Sequence, residues 1–217
     1  LKSVKNKSRT KCIIFDDFEK RIHNVADVRI SYNISKRNKL QQRNTNLSAF
    51  VLDGSNYAPI SAEYRKLRNL ALLKRKKTKV INNILVSYGG SDEGNLTLKT
   101  LKIIPDSFNI TLILGANAKY LKRILNYIKK HNKKNVKILF NVSDMAGAYL
   151  NADLAFGACG VSLFERSSLG LPSFLVALEN NQKNNYNFFT KNNIARSLDF
   201  KKEFQEIEMD SWREMVN

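Results

Sequence analysis

Residues 84–92 read Ile-Leu-Val-Ser-Tyr-Gly-Gly-Ser-Asp, and this stretch decides the fold class. The run Ile84–Tyr88 predicts a buried strand, because short apolar runs bounded by turn residues are typical of strands covered on both faces. Two glycines then permit a tight turn, and a helix is predicted from about Leu96. A strand, a glycine turn and a helix in succession indicate an α/β protein with a parallel sheet.

The same unit recurs toward the C-terminus. Further strands are predicted at Thr111–Leu114, Val136–Phe140, Leu154–Phe156 and Ser173–Val176. Helices are predicted between and after them at Ala118–Lys130, Met145–Leu150, Ser162–Leu169 and Asn184–Asn193. This alternation from Val80 onward predicts a doubly wound, Rossmann-like sheet with right-handed crossovers.

Fewer elements precede this region. Strands are predicted at Cys12–Phe15, Val28–Tyr32 and Ala49–Leu52, with a helix at Ser61–Lys74. We interpret residues 1–79 as the C-terminal portion of an N-terminal α/β domain with its linker, and residues 80–217 as the Rossmann-like domain. Because the sequence begins with Leu1, we expect the natural chain to begin earlier.

The chain is strongly basic. It has 37 Lys and Arg against 19 Asp and Glu, a formal net charge of +18, so it attracts polyanions. The densest cluster, Lys74–Lys79, is interpreted as a solvated linker or helix end, with weak contact to an anionic membrane surface as the alternative. The sequence lacks a ribonucleoprotein motif, a zinc knuckle or a stacked aromatic series, so specific nucleic-acid recognition is not predicted.

Composition excludes several classes of protein. Cys12 and Cys159 are far apart and form neither a disulfide framework nor a metal cluster, which suits a cytoplasmic protein. His23 and His131 cannot build a metal site by themselves. No apolar run approaches the length of a membrane span, and no signal peptide is recognised. We therefore predict a cytoplasmic protein without metal or cofactor.

Two strand-ending loops are candidate phosphate sites, since ligands of doubly wound sheets bind at the carboxyl ends of strands. In Gly89-Gly90-Ser91-Asp92, Ser91 either donates to a phosphate oxygen or caps the next helix, with Asp92 as an alternative cap. In Gly160-Val161-Ser162, the backbone either binds a diphosphate or simply opens a helix. Ser162 and Glu165 have capping-box spacing, but Glu165 could instead accept hydrogen bonds from a ribose diol. Cys159 is interpreted as a small buried residue.

Two polar groups complete the candidates. Asn181 and Gln182 follow the strand Ser173–Val176, and their carboxamides suit sugar hydroxyl and acetamido groups as well as ordinary loops. Asp16 and Asp17 end the first strand, where they could exchange protons or cap a turn.

The order of these segments resembles the C-terminal domain of the GT-B group that includes the peptidoglycan N-acetylglucosaminyltransferase. The matching segments are Gly89–Asp92, Asn141–Met145, Gly160–Glu165, Leu169–Pro172 and Asn181–Gln182. The resemblance implies a GT-B-like fold and a UDP-sugar ligand. It further implies that the segment ending at Glu165 binds diphosphate and ribose, and that the backbone of Val142 reads uracil.

The region from about Lys11 to Asn193 more closely resembles the UDP-sugar hydrolases of the pseudaminic-acid pathway. Phe15-Asp16-Asp17, His23, Gly54–Ile60 and Glu63-Tyr64 carry this resemblance. It implies release of UDP from UDP-2,4-diacetamido-2,4,6-trideoxy-β-L-altropyranose without a metal. The family's Gly-rich loop with its His has no counterpart here, and Ser61 stands where the family usually has Arg.

From these residues and resemblances we predict Asn181 and Asp17 as catalytic. The predicted substrate-binding residues are Tyr57, Gly89, Gly90, Ser91, Val142, Gly160, Val161, Ser162, Glu165 and Gln182. The alternatives are a GT-B glycosyltransferase with the same UDP-sugar donor, and a non-catalytic UDP-sugar-binding module.

Overall fold

The computed structural model describes residues 10–16, 26–34, 50–198 and 200. Asp17 and His23 lie outside the described residues. The description that follows concerns the described residues alone.

The N-terminal part forms a small parallel sheet. Strands β1 (Ile13–Phe15), β2 (Val28–Ser31) and β3 (Phe50–Asp53) pair in the order β1-β2-β3. Ile30 at its centre is in register with Phe15 on one side and Leu52 on the other. The predicted strands agree with these bounds to within a residue or two.

The larger sheet is parallel throughout. Its strands are β4 (Asn83–Ser87), β5 (Asn109–Leu114), β6 (Val136–Phe140), β7 (Leu154–Ala158), β8 (Ser173–Val176) and β9 (Arg196–Ser197). They are arranged in the order β6-β5-β4-β7-β8-β9. The chain first builds outward from β4 to β6 and then restarts on the other side at β7. The boundary between β4 and β7 is therefore the topological switch point at which ligands of this fold bind.

Helices connect the strands. Their bounds are α1 (Ala62–Lys77), α2 (Leu96–Ile103), α3 (Leu121–Lys130), α4 (Met145–Asn151), α5 (Val161–Ser168) and α6 (Lys183–Lys191). Short 3₁₀ turns occupy Ser55–Tyr57 and Asn180–Gln182. The predicted helices match these bounds to within about three residues.

Both faces of the larger sheet are covered. Ile84 and Val86 of β4 pack on one face in a core that also contains residues of α2 and α3. Leu85 faces the other way and packs with Tyr64 of α1 and Tyr149 of α4. This alternation follows from the two-residue period of a strand and explains why β4 reads as a continuous apolar run.

The first two residues of the basic cluster, Lys74 and Arg75, cap the C-terminal end of α4. Lys74 Nζ donates to the carbonyls of Leu150 and Asn151 at 2.9 Å, and Arg75 Nη2 donates to the Tyr149 carbonyl at 2.8 Å. These acceptors lie in the last turn of α4, where cations are favoured by the free carbonyls and the helix dipole. Lys74 also pairs with Asp153 at 3.4 Å. The first two residues of the cluster thus hold α1 against the end of α4.

None of the helices in the described ranges is both long enough and apolar enough to cross a membrane.

Candidate functional site

The two predicted phosphate loops leave neighbouring strands at the switch point. Ser87, the last residue of β4, is in register with Gly157 of β7. The loop Gly89–Ser91 therefore starts beside the loop that runs from Cys159 into α5. The fold thus places both loops at the same edge, where a crevice for a ligand is expected.

The first loop is built on close backbone contact. Gly89 has φ +85°, a value that side-chain-bearing residues rarely adopt. Gly90 lies against Gly115 at the end of β5, so that a Cβ on Gly115 would come within 2.6 Å of Gly90 Cα. Gly90 and Ser91 are exposed, and their N–H groups have no acceptor among the described residues. The N–H groups of Gly90 and Ser91 are therefore available as hydrogen-bond donors to a ligand.

Of the two caps that the sequence offered for the following helix, the structure excludes Ser91 and confirms Asp92. Helix α2 begins only at Leu96, and the side chain that accepts from its first turn is Asp92, whose Oδ1 lies 3.1 Å from the Thr97 amide nitrogen. Asp92 is buried, and burial raises its pKa although the backbone N–H groups of Thr97 and Leu96 oppose the shift. Asp92 takes the capping role, which leaves the Ser91 hydroxyl at the edge of the site.

The second loop opens a helix without a side-chain cap. Gly160 is the N-cap of α5 and no side chain bonds to the first turn, so the predicted Ser162–Glu165 capping box is absent. Ser162 lies inside the first turn, and its Oγ accepts from Arg166 at 3.2 Å. The N–H groups of Gly160, Val161 and Ser162 have no acceptor within the described ranges. A helix N-terminus with free N–H groups is a site for an anion.

Glu165 lies one turn into α5 and contacts helix α1. Burial has the largest effect and raises its pKa, while the Tyr64 hydroxyl and the Arg166 charge oppose the shift. Burial raises the pKa of Tyr64 as well, and the Glu165 carboxylate adds to this. Tyr64 thus stays protonated and interacts with Glu165. Tyr64 belongs to the Glu63-Tyr64 segment that carries the hydrolase resemblance, but the sequence did not predict it as a site residue.

Of the two carboxamides after β8, Gln182 contacts the second loop. Gln182 Oε1 accepts from the Cys159 N–H at 3.2 Å and from the Leu178 N–H at 3.1 Å. A Cβ on Gly160 would lie 3.8 Å from Gln182 Nε2, so the amino group remains beside the open helix N-terminus. The buried Oδ1 of Asn181 has no hydrogen-bond partner among the described residues. Gln182 thus retains its amino group beside the loop, whereas the unpartnered oxygen of Asn181 lies beneath the surface.

Val142 and Tyr57 approach the same region from other strands. Val142 follows β6, its side chain packs on the core beneath α1 and α4, and its backbone N–H and carbonyl make no hydrogen bond within the described ranges. Tyr57 follows β3 and is 40% exposed. Its neighbour Ala58 packs with the cluster that contains Cys159, which brings the turn toward the second loop.

Cys159 is buried, and burial raises its pKa to about 12. Its Sγ contacts the Val176 carbonyl at 3.5 Å. A protonated, inaccessible thiol is no nucleophile, which agrees with the interpretation as a small buried residue.

Two buried polar residues were missed by sequence reasoning. Asn185 of α6 accepts from the Ile34 N–H at 2.8 Å and donates to Asn33 Oδ1 and to the Cys159 carbonyl. It thereby ties the small sheet to the second loop. Arg166 is also buried and bonds to Ser162. No local pattern marks either residue, because each acts on partners that are distant in sequence or hidden in the interior.

Among the described residues, no group of three His, Cys, Asp or Glu side chains could hold a metal ion.

No family model matches the chain, but its sequence is similar to curated proteins from an archaeon and a bacterium. It is 29% identical over 189 residues to an uncharacterized protein of Methanocaldococcus jannaschii, covering 83% of this chain and 38% of the relative. It is 26% identical over 205 residues to the spore coat polysaccharide biosynthesis protein SpsG of Bacillus subtilis, covering 91% of this chain and 58% of the relative. The chain thus spans less than two thirds of either relative.

Solved structures share the architecture. MurG of Acinetobacter baumannii superposes with a TM-score of 0.58 at 15% identity, covering 95% of this chain and 60% of MurG. WaaG, a glycosyltransferase involved in lipopolysaccharide biosynthesis, superposes with a TM-score of 0.53 at 13% identity, covering 99% of this chain and 71% of WaaG. These matches, with the parallel sheets and their order, show that the chain has an α/β, Rossmann-like GT-B fold.

Proposed function

We propose that this chain binds a UDP-sugar at the switch point and belongs to a GT-B glycosyltransferase-like enzyme of polysaccharide or nonulosonic-acid biosynthesis. The observation that carries the proposal is the open N-terminus of α5, with unbonded N–H groups from Gly160 to Ser162 beside the exposed loop Gly89–Ser91. Two sets of backbone donors that converge on one crevice suit a diphosphate.

The remaining contacts of the nucleotide follow from the positions of the strands. Glu165, one turn beyond the open N-terminus, offers two carboxylate oxygens to the ribose diol. The unbonded backbone of Val142, at the same edge of the sheet, offers a donor and an acceptor to uracil. On the other side of the loop, Asn181 and Gln182 would contact the sugar, with Tyr57 nearby. In this arrangement the nucleotide crosses the carboxyl ends of the strands.

The first candidate reaction is hydrolysis of the UDP-sugar. Water attacks the anomeric carbon, the bond between that carbon and the diphosphate oxygen breaks, and UDP leaves with the electron pair. The N–H groups at Gly90–Ser91 and Gly160–Ser162 would stabilise the charge that develops on the leaving diphosphate. Asn181 would contact the reacting sugar, with Asp17 as the second candidate for that role.

The second candidate is transfer of the sugar to an acceptor. The same donor site serves this reaction. SpsG is a spore coat polysaccharide biosynthesis protein and WaaG is a glycosyltransferase, which supports transfer as a candidate. The third is a module that holds a UDP-sugar without turning it over.

Calorimetric titration tests the shared part of these candidates. We expect UDP to bind more tightly than ADP or GDP, and Glu165→Ala to weaken UDP by about 1–3 kcal/mol, the scale of a hydrogen bond to a charged group. Asp106→Ala is the matched control, because Asp106 is an exposed carboxylate near the start of β5 at the opposite edge of the sheet. Equal UDP affinity in the wild type and Glu165→Ala would remove Glu165 from the site.

Release of UDP distinguishes the candidates. The substrates are UDP-2,4-diacetamido-2,4,6-trideoxy-β-L-altropyranose and UDP-N-acetylglucosamine, each with and without an added acceptor. We expect nucleotide binding with very slow release of UDP by these residues, because the Gly-rich loop with its His that the resembled hydrolases carry has no counterpart here, and loss of a general base typically costs about 10²–10⁴-fold. Brisk release from the altropyranose would place the catalytic group within this chain, and release only with an acceptor would favour transfer.

A further inference from the structure

The Arg166 guanidinium is buried directly behind the open N-terminus of α5. The side chain is 1% exposed. It points back along the helix, as long helical side chains do, and its Nη2 donates to the Ala158 carbonyl at 2.9 Å at the end of β7. A Cβ on Gly157 would come within 2.7 Å of Nη1 and 2.9 Å of the Ser87 carbonyl. The charge therefore lies between the ends of β4 and β7, at the switch point itself.

The bonding partners of Arg166 are neutral. Nε donates to Ser173 Oγ at 3.2 Å, Nη1 to Ser162 Oγ at 3.2 Å, and Nη2 to a backbone carbonyl. Within the described part of the chain it forms no ion pair with a carboxylate. The adjacent Glu165 senses its charge but interacts with Tyr64. Buried cations are normally paired, because removing them from water is costly.

We propose that Arg166 is a positioning residue whose buried charge selects for the diphosphate group of the ligand. Arg166 acts in two ways. It holds Ser162 within the first turn of α5, and its positive charge, buried in a low-dielectric interior, attracts the negative diphosphate electrostatically. It does not touch the ligand. The inference rests on the proposed function, since it assumes that the anion binds at this helix N-terminus and supplies the missing opposite charge.

A comparison of charged and uncharged ligands tests the role of the charge. UDP and uridine share the base and ribose, and only UDP carries the diphosphate. In Arg166→Met we expect the ratio of UDP to uridine affinity to fall about tenfold or more, with uridine affinity within threefold of wild type. Arg166→Lys keeps the charge and should keep the ratio within threefold. If Arg166→Met does not fold, Arg166→Gln takes its place. The glutamine can retain a bond to Ser173, and we expect the same fall in the affinity ratio.

Arg75→Met is the matched control. Arg75 is a second buried arginine bonded to backbone carbonyls, but it caps the end of α4 at the opposite edge of the sheet. Its replacement should lower the melting temperature and leave the affinity ratio unchanged. An unchanged ratio in the folded, neutral Arg166 variants would overturn the inference and leave a structural role. A wild type that binds neither ligand would instead refute the proposed function.

Discussion

Gly115→Ala tests whether the packing of Gly90 on Gly115 shapes the first loop. The new Cβ would lie 2.6 Å from both the Cα and the O of Gly90. Ordinary van der Waals contact begins near 3.4 Å, so the two backbones must separate by about 0.8 Å. Because both contacted atoms belong to the main chain, no side-chain rotation can relieve the overlap. Overpacking of this kind costs about 1–3 kcal/mol.

Two assays follow from this displacement. Thermal unfolding should show a lower melting temperature, by roughly 2–4 °C for each kcal/mol in a chain of this size. Titration should show weaker UDP binding, because a loop moved by most of an ångström no longer aligns its N–H groups with the diphosphate. Uridine, which does not reach this loop in the proposed orientation, should lose less affinity than UDP.

Gly90→Ala is the control from the other side of the same contact. A Cβ on Gly90 meets nothing within 4 Å and φ is not in the left-handed region, so stability should stay within about 0.5 kcal/mol of wild type. The methyl group would stand on the exposed side of the loop and should still weaken UDP if the diphosphate lies there. A Gly115→Ala protein with wild-type stability and wild-type UDP affinity would refute the reasoning.

Three further predictions address charge. Burial raises the pKa of Glu165, so uridine affinity should fall as the pH is lowered from 7, because the carboxylate takes up a proton and loses an acceptor. Glu165→Gln should show no such dependence on pH. Asp153→Asn should cost about 2 kcal/mol at pH 7 in urea unfolding. Burial raises the pKa of Asp153, but the backbone N–H groups of Asn83 and Asn82 and the Lys74 charge together outweigh it and lower that pKa. The ionised carboxylate therefore stabilises the fold above pH 3.8, the ordinary value. The difference in stability between wild type and Asp153→Asn should shrink as the pH falls below that value. Binding to nucleic acid should be non-specific and lost steeply with added salt, whereas sequence-selective binding in raised salt would contradict the small-ligand proposal.

Much of the larger sheet could be predicted from the sequence because its central strands, β4 and β7, are buried almost throughout and therefore read as apolar runs between helices. Ser173–Val176 and the partly exposed edge strand Val136–Phe140 were predicted with their observed bounds. Strand β9 was missed because two residues, Arg196 and Ser197, carry no periodic signal. The position of the switch point could not be predicted in detail, because it depends on the order of the strands in the sheet. The sequence indicates the fold class but does not give that order directly.

The details of the loops were less predictable. Ser91, Asp92 and the Ser162–Glu165 pair all have the composition of caps, yet only Asp92 bonds to the helix that follows it, and α5 begins at the bare N-cap Gly160. Capping spacing identifies side chains that could bond to a helix, but tertiary partners decide which bond forms. Here Arg166 holds Ser162 and Tyr64 engages Glu165.

The structure of this chain with UDP tests the central claim most directly. The account predicts diphosphate oxygens within hydrogen-bond distance of the N–H groups of Val161 and Ser162 and of the loop at Gly90. It also predicts the ribose hydroxyls on Glu165 and uracil against the backbone of Val142. UDP bound elsewhere, or bound at the switch point with its base rather than its diphosphate on the N-terminus of α5, would contradict it.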